Sequence, residues 1–303
     1  MIGRGGLYGP PRAGSTLHDS ALGATSWAMR SAPSPFLAPA VPRMNDQIAA
    51  LVRRHDSDRF LTALFAPPEH RDALLTLYAF DHELGRARDV TSEPHLALIR
   101  LHWWREVVEG ARRRHEVAGP LGELLDSGRL EPQDLLPIID AHEIESEPCI
   151  ESLTDWHAWL LAGAGGIAVA AGQLLGAADP EIFRPVGASF GAARVIRRNH
   201  ALARRGRCLL PADLLAEFGL SVHAAIAAPE SPNVASVLRR LAAEGQGFLA
   251  QAPLRRWPRA VLAAALPAVL SGRDLRREPT AHRGPRGLGD RVAVIWAGVT
   301  GRV

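Results

Sequence analysis

Many of the apolar segments in the sequence begin with a proline, and this arrangement constrains the fold more than any other sequence feature. Proline suits the first turn of a helix, where its missing N–H would have no intrahelical partner. The prolines that begin such segments are Pro68, Pro94, Pro132, Pro180, Pro232 and Pro258. With the spacing of apolar residues, they predict helices over about residues 46–65, 68–88, 94–115, 132–145, 153–175, 180–204, 231–252 and 258–276. Alternating runs of Val, Ile and Thr are scarce, so we predict an all-α bundle without a sheet.

The size of the chain fits a single helical domain. Its 303 residues are 47% hydrophobic, which is enough to bury one large core. We predict that this domain covers residues 44–303. The two cysteines, Cys149 and Cys208, lie in different segments, and this argues against both a disulfide framework and a zinc site of ordinary spacing.

Residues 1–43 differ in character from the rest of the chain. They are rich in Gly, Pro, Ser and Ala and show no apolar periodicity, so we predict that they are disordered. From Met44 onward, Asn45 or Asp46 can cap a helix in which apolar residues recur at helical spacing. Met44 is therefore the expected start of translation, with an upstream region before it. A transit-like leader is the alternative, although the many Gly and Pro residues do not suit an amphipathic helix.

Positive charge is concentrated at the two ends of the chain. The net charge is +3, but residues 1–43 and 253–303 together carry +10, which leaves −7 for the middle. Basic ends that look flexible and are partly apolar favour an anionic partner or a membrane surface; a solvated tail is the alternative. Since no platform of interleaved aromatic residues accompanies the charge, we expect no nucleic-acid partner.

The most apolar stretch of the sequence is residues 160–175. It is shorter than the roughly 20 residues that span a bilayer. It also contains Gly163, Gly165, Gly166 and Gly172, and glycines allow helices to approach closely. We therefore predict a buried core helix here.

Motifs in both halves of the chain resemble one enzyme family. Residues 77–80 read Leu-Tyr-Ala-Phe and precede residues 103–106, which read Trp-Trp-Arg-Glu. Residues 205–211 read Arg-Gly-Arg-Cys-Leu-Leu-Pro, and a helix rich in Ala and Gly, residues 162–168, lies between the two groups. This order resembles the squalene/phytoene synthase family over about residues 56–215. The resemblance implies an isoprenoid-synthase-type helical bundle.

The resemblance also implies a metal site that this sequence lacks. Family members hold magnesium ions with two aspartate motifs on facing helices. Gly85 and Arg86 stand where the first motif has paired aspartates, and Arg198 and Leu202 stand at the aspartate positions of the second. Asp89 is the only motif carboxylate that remains. Because magnesium requires several oxygen ligands, we expect no magnesium, no other cofactor and no catalytic residue.

Neighbouring residues do not restore the site by their spacing. Asp81 and Glu83 share a predicted helix with Asp89, but lie about 80° and 120° away from it at about 100° per residue. We interpret both as solvated helix surface. His55 and His142 have no metal-ligand spacing, so we expect them to pack in the core or at an interface.

Replacement of aspartate by arginine converts a side chain that binds cations into one that binds anions. The candidate ligands for a diphosphate or an anionic headgroup are Arg86, Asp89, Arg197, Arg198, Arg205 and Arg207. The resemblance implies that Arg86 and Arg198 confront each other across a cleft. Either they bind an anion there, or the cleft has closed and both point to solvent.

Two functions are compatible with the resemblance. The first is a non-catalytic, membrane-associated scaffold for assembly or lipid binding, similar to the mitochondrial complex I assembly factor branch. Its partner would be a membrane protein, a complex subunit, or an anionic isoprenoid or phospholipid. The second is an active head-to-head prenyl transferase of isoprenoid, carotenoid or hopanoid biosynthesis that uses magnesium. The missing aspartates favour the first. We expect a cytoplasmic protein in peripheral contact with the inner membrane.

Overall fold

Helices are the main secondary structure in the part of the chain that the structure describes. The computed structural model describes residues 45–89, 93–252, 256–279, 284 and 286–303. Its α-helices are α1 (Asp46–His55), α2 (Ser57–Ala63), α3 (Pro68–Asp89), α4 (Pro94–Val108), α5 (Ala118–Asp126), α6 (Pro132–Ile144), α7 (Leu153–Ala162), α8 (Ala164–Leu174), α9 (Arg184–Ala203), α10 (Ala212–Glu217), α11 (Val222–Ala227), α12 (Pro232–Gln251), α13 (Leu262–Ala265), α14 (Pro267–Leu275) and α15 (Leu288–Thr300). Within these residues there is no β-strand, so the all-α prediction is confirmed. The predictions for residues 1–43 and Met44 concern residues outside this description.

Three of the predicted helices, 46–65, 153–175 and 258–276, are divided in the structure. The predicted helix 46–65 breaks at Asp56, whose side chain accepts a hydrogen bond from the backbone N–H of Arg59 and so begins α2. The predicted helix 153–175 breaks at Gly163 into α7 and α8. In these two cases apolar spacing continues through the break, so periodicity alone could not reveal it.

Other boundaries also differ from the prediction. The predicted helix 94–115 ends at Val108, just before Gly110, whose φ of 113° is incompatible with a helix. The predicted helix 258–276 consists of α13 and α14. Helices α5, α10, α11 and α15 were outside every predicted helix.

Helix α9 lies at the centre of the bundle and packs against α8, α12 and α14. Its approach to α8 depends on glycine, because a Cβ at Gly187 would lie 2.2 Å from the carbonyl oxygen of Ala164. Most of α8 is buried, so the predicted core segment is confirmed. Residues Leu153–Leu174 are long and apolar enough to cross a membrane, but more than half of their most apolar window is buried inside the bundle.

Helix α3 lies across the core from α9. Residues 73–81 of α3 are all buried, and Phe80 packs edge-on against Trp104 of α4 with ring centroids 5.5 Å apart. Helix α8 contacts α3, α6 and α9. These four helices surround a cavity.

The C-terminal end is folded in its described residues, so the expectation of a flexible end is wrong there. Asp290 of α15 is buried and accepts hydrogen bonds from Arg273 and Arg277. Arg286 lies 2.8 Å from Asp58 of α2 and 2.7 Å from Asp274 of α14. These ion pairs join α2, α14 and α15. They neutralise part of the positive charge at this end of the chain.

Candidate functional site

A cavity of about 520 Å³ lies between α3, α6, α8 and α9. Tyr78, Trp159, Ile167 and Phe190 contribute to its apolar wall. Eight arginines and five carboxylates also line it. The alternative of a closed cleft is therefore wrong.

All six candidate anion ligands line this cavity, but they do not form one group. Asp89, Arg198, Arg205 and Arg207 lie together, and we name these four residues the outer cluster. Arg86 is half-exposed and donates to Glu83 at 2.9 Å. Arg197 donates instead to Asp274 at 3.2 Å and to the carbonyl oxygen of Gly284 at 3.1 Å.

Asp89, at the C-terminal end of α3, is the centre of the outer cluster. Arg207 donates to its Oδ1 at 2.9 Å, and Nη1 of Arg205 lies 2.9 Å from its Oδ2. Arg198 of α9 is 3.9 Å away. Gly206 between the two loop arginines has a φ of 68°, which glycine adopts without strain. This turn directs both arginines to Asp89, so three cations share one carboxylate.

A second group of charged residues lies deeper, and we name it the inner cluster. Its members are Asp56, Arg59, Asp81, His142 and Glu145. Arg59 donates to Asp56 at 2.6 Å and also to Asp81. Nε2 of His142 lies 3.2 Å from Asp81, and its Nδ1 lies 3.1 Å from Glu145. Positive and negative groups therefore alternate along the cluster, which joins α2, α3 and the end of α6.

Each shift in pKa in the inner cluster favours the charged form. Burial opposes the charge of His142, but Glu145 and Asp81 outweigh it and raise the pKa of His142 to about 10. Burial also opposes ionisation of Asp81, but Arg59 and His142 hold its pKa well below the usual range. For Glu145, His142 and Arg207 outweigh burial and lower the pKa. The inner cluster is therefore ionised at neutral pH, and Arg207 links it to the outer cluster.

Arg194 adds positive charge one turn before Arg198 on α9. Its Nη1 lies 3.4 Å from Asp56 and 3.8 Å from Asp81. Burial and the like charge of Arg194 lower the pKa of Arg198. Because the lining arginines outnumber the lining carboxylates by three, the cavity has an excess of positive charge that suits an anion.

The family model described as squalene/phytoene synthase matches residues 52–284, which include both clusters and most of the chain. This chain belongs to the squalene/phytoene synthase family. The match agrees with the resemblance of the sequence motifs.

The proteins that this chain resembles include an assembly factor and two synthases. A mouse protein named NADH dehydrogenase (ubiquinone) complex I, assembly factor 6, is 25% identical over 251 residues, which cover 80% of this chain and 75% of that protein. A dehydrosqualene synthase structure matches with a TM-score of 0.67 at 13% identity and covers 84% of this chain and 94% of its own. A squalene synthase from Alicyclobacillus acidocaldarius gives 0.59 at 16% identity, with 76% and 90% covered. These structures show that the fold is the helical isoprenoid-synthase bundle.

In this member of the squalene/phytoene synthase family, the residues at the expected magnesium positions do not fit the ion. Gly85 and Leu202 have no side-chain oxygen, and Arg86 and Arg198 are cations. Asp89 is already bound by arginines. Among the described residues, no group of three or more His, Cys, Asp or Glu could hold a metal. Magnesium prefers near-octahedral oxygen ligands, which this set of side chains does not supply.

The interpretation of Asp81 as solvated surface is wrong. Asp81 is only 8% exposed, and it lines the same cavity as Asp89. A separation of about 80° around α3 does not exclude a shared cavity, because α6 and α9 extend its wall around the helix. Glu83, for which the same interpretation was given, is half-buried and pairs with Arg86.

Five charged residues of the inner cluster or beside it were not found from the sequence: Asp56, Arg59, His142, Glu145 and Arg194. His142 was expected to pack without a charged role, yet it is the buried cation between two carboxylates. The spacing of four residues between Arg194 and Arg198 could have placed Arg194 on the cavity side of α9. The other four come from the start of α2 and the end of α6, and the meeting of these two elements depends on the tertiary fold.

Proposed function

We propose that this protein is a non-catalytic, membrane-associated member of the squalene/phytoene synthase family that acts as an assembly scaffold for a membrane NADH dehydrogenase complex. The observation that carries the proposal is the outer cluster, in which Arg205 and Arg207 bind Asp89 where a magnesium ligand is expected. Without that metal, the diphosphate of a prenyl substrate lacks the Lewis acid that would assist its departure. The proposed protein uses no cofactor.

The names of the relatives support the assembly role. Mouse and human proteins that this chain resembles at 25% and 24% identity are named as assembly factors of complex I. Assembly takes place on a membrane complex, so we propose peripheral membrane association and a complex subunit as partner.

The cavity supports a second property of the same scaffold, which is binding of an anionic isoprenoid or phospholipid without magnesium. Its wall of aromatic and aliphatic side chains suits a lipid tail. Arg194, Arg198 and Arg205 lie at its charged side and are only partly buried. Their guanidinium groups match the geometry of phosphate oxygens. Such a ligand would occupy the scaffold and not be consumed.

The alternative is an active head-to-head prenyl transferase. The observation in its favour is the open cavity, which keeps an apolar wall in a fold shared with a dehydrosqualene synthase. Under this alternative, Asp81 and Glu83 would have to supply a displaced metal site. Arg59 and Arg86, which pair with them, oppose that assignment.

An activity assay on the purified full chain distinguishes the non-catalytic protein from the active transferase. Prenyl diphosphates with magnesium are incubated with wild type and with Asp89→Ala, and condensed product is measured. We expect no product from either protein. Turnover by wild type above Asp89→Ala would overturn the non-catalytic proposal.

The assembly role is tested in the native host. Deletion of the gene should reduce fully assembled NADH dehydrogenase on native gels of membranes, and wild-type protein should restore it. Asp89→Ala should restore it too, because the role requires no metal. Unchanged assembly after deletion would contradict the role.

A further inference from the structure

Helix α15 has apolar residues on two opposite faces. One face is buried and includes Val294, Ala297 and Gly298, where the ring of Phe65 packs too closely to admit a Cβ. The other face is solvent-exposed, and we name it the exposed stripe. Its members are Leu288, Val292, Ile295, Trp296 and Val299, which are 78%, 54%, 45%, 70% and 61% exposed.

The spacing of the exposed stripe is that of one helix face. At about 100° per residue, its five members fall within an arc of about 100°. A surface helix of a globular protein normally has polar side chains opposite its buried face. Trp296 and Leu288 are among the most exposed large apolar side chains in the described part of the chain. A continuous exposed apolar face of this kind is typical of an interaction surface.

The exposed charged side chains of the segment that carries the exposed stripe are positive. Between residues 286 and 303 the only acid is Asp290, and it is buried and bound by two arginines. Arg291 is exposed beside the stripe. Arg256 and Arg302 are also exposed and lie next to each other at the C-terminal end of α15, where their backbones form an antiparallel bridge.

We propose that the exposed stripe docks on an anionic lipid bilayer, with its apolar side chains at the boundary between headgroups and acyl chains. An interfacial helix combines such a stripe with basic residues that attract anionic lipid. Trp296 fits this position because tryptophan rings concentrate at membrane interfaces. The absence of an exposed acid in residues 286–303 complements a surface of lipid phosphates and favours it over a protein surface of mixed charge.

This inference rests on the membrane association proposed above and names the surface that provides it. The stripe shares no residue with the cavity lining. Vesicle binding in a protein that has no assembly role would leave this inference standing and remove the proposed function. An assembly role without vesicle binding would remove this inference and leave the assembly role standing.

The test is vesicle flotation of the full chain. Vesicles of phosphatidylcholine alone are compared with vesicles of equal parts phosphatidylcholine and phosphatidylglycerol. We expect wild type to bind the anionic vesicles and to be released by high salt. The double variant Val292→Ser with Trp296→Ser should bind about tenfold more weakly, and Arg291→Gln about fivefold more weakly.

Ile99→Ser is the matched control, because Ile99 is a 62% exposed apolar residue on α4. It should bind as wild type does, and thermal unfolding should show that all variants are folded. Equal binding by the double variant, or an equal loss in Ile99→Ser, would overturn the proposal. A dimer in solution that the double variant loses, without vesicle binding by wild type, would also overturn it and assign the stripe to a second copy of the chain.

Discussion

The inner and outer clusters are built from the same kinds of charged side chain, but they differ in their exposure to water. In the inner cluster, Arg59 and Asp81 are 5% and 8% exposed. In the outer cluster, Asp89 and Arg207 are mostly buried, but the side chains of Arg198 and Arg205 are 49% and 55% exposed. A buried charge that loses its partner is costly, whereas an exposed ion pair contributes little. The inner cluster should therefore maintain the fold, and the outer cluster can exchange Asp89 for a ligand anion.

The largest expected difference between the clusters is in stability. Asp81→Ala removes the carboxylate between Arg59 and His142, and we expect it to lower the free energy of unfolding by about 3–5 kcal/mol. Asp89→Ala, the matched change in the outer cluster, should lower it by only about 1 kcal/mol, because Arg198 and Arg205 are exposed and Arg207 keeps Glu145 as a partner. Urea unfolding of both variants measures these values. Equal losses would show that the two clusters do not differ as described.

His142→Gln should have a smaller effect that depends on pH. Because the folded pKa of His142 is raised to about 10 from about 6.5, its charge stabilises the fold fully below about pH 6.5, and this contribution is lost as pH rises through about 10. We expect His142→Gln to cost about 2 kcal/mol near pH 6 and least above about pH 10.

The pH dependence is measured by urea unfolding at both ends of that range. His102 is 70% exposed on α4, so His102→Gln is the control and should show no such trend. A cost of His142→Gln that does not change with pH would mean that the ring is neutral in the folded protein.

Substitutions in the outer cluster should weaken ligand binding more than substitutions of neighbouring residues. Arg198→Ala and Arg205→Ala should each weaken binding of a prenyl diphosphate in EDTA by about tenfold, as expected for a lost hydrogen bond to a charged group. Arg86→Ala should have a smaller effect, because Arg86 pairs with Glu83 outside the cluster. Isothermal titration measures the affinities. A larger loss of affinity in Arg86→Ala than in Arg198→Ala would support the expectation that Arg86 and Arg198 bind an anion together across the cleft.

The sequence predicted the fold and the outer cluster better than the inner cluster, for physical reasons. Helical periodicity and N-terminal prolines are local signals, and most of the helices follow them. The outer residues belong to motifs that the resemblance identifies. The inner cluster depends on His142 from the end of α6 meeting Asp81 of α3, and no local pattern specifies that contact. Helix α15 was not predicted either, because apolar residues on two faces give no single amphipathic pattern.

We propose that arginines of the outer cluster replace magnesium in the cavity. Thermal unfolding of the full chain with farnesyl diphosphate, in EDTA and in magnesium, tests it most directly, since a ligand that binds the folded state raises Tm. We predict the same rise in both conditions, and a smaller rise in a variant with Arg198→Ala and Arg205→Ala. A rise that requires magnesium would contradict the claim.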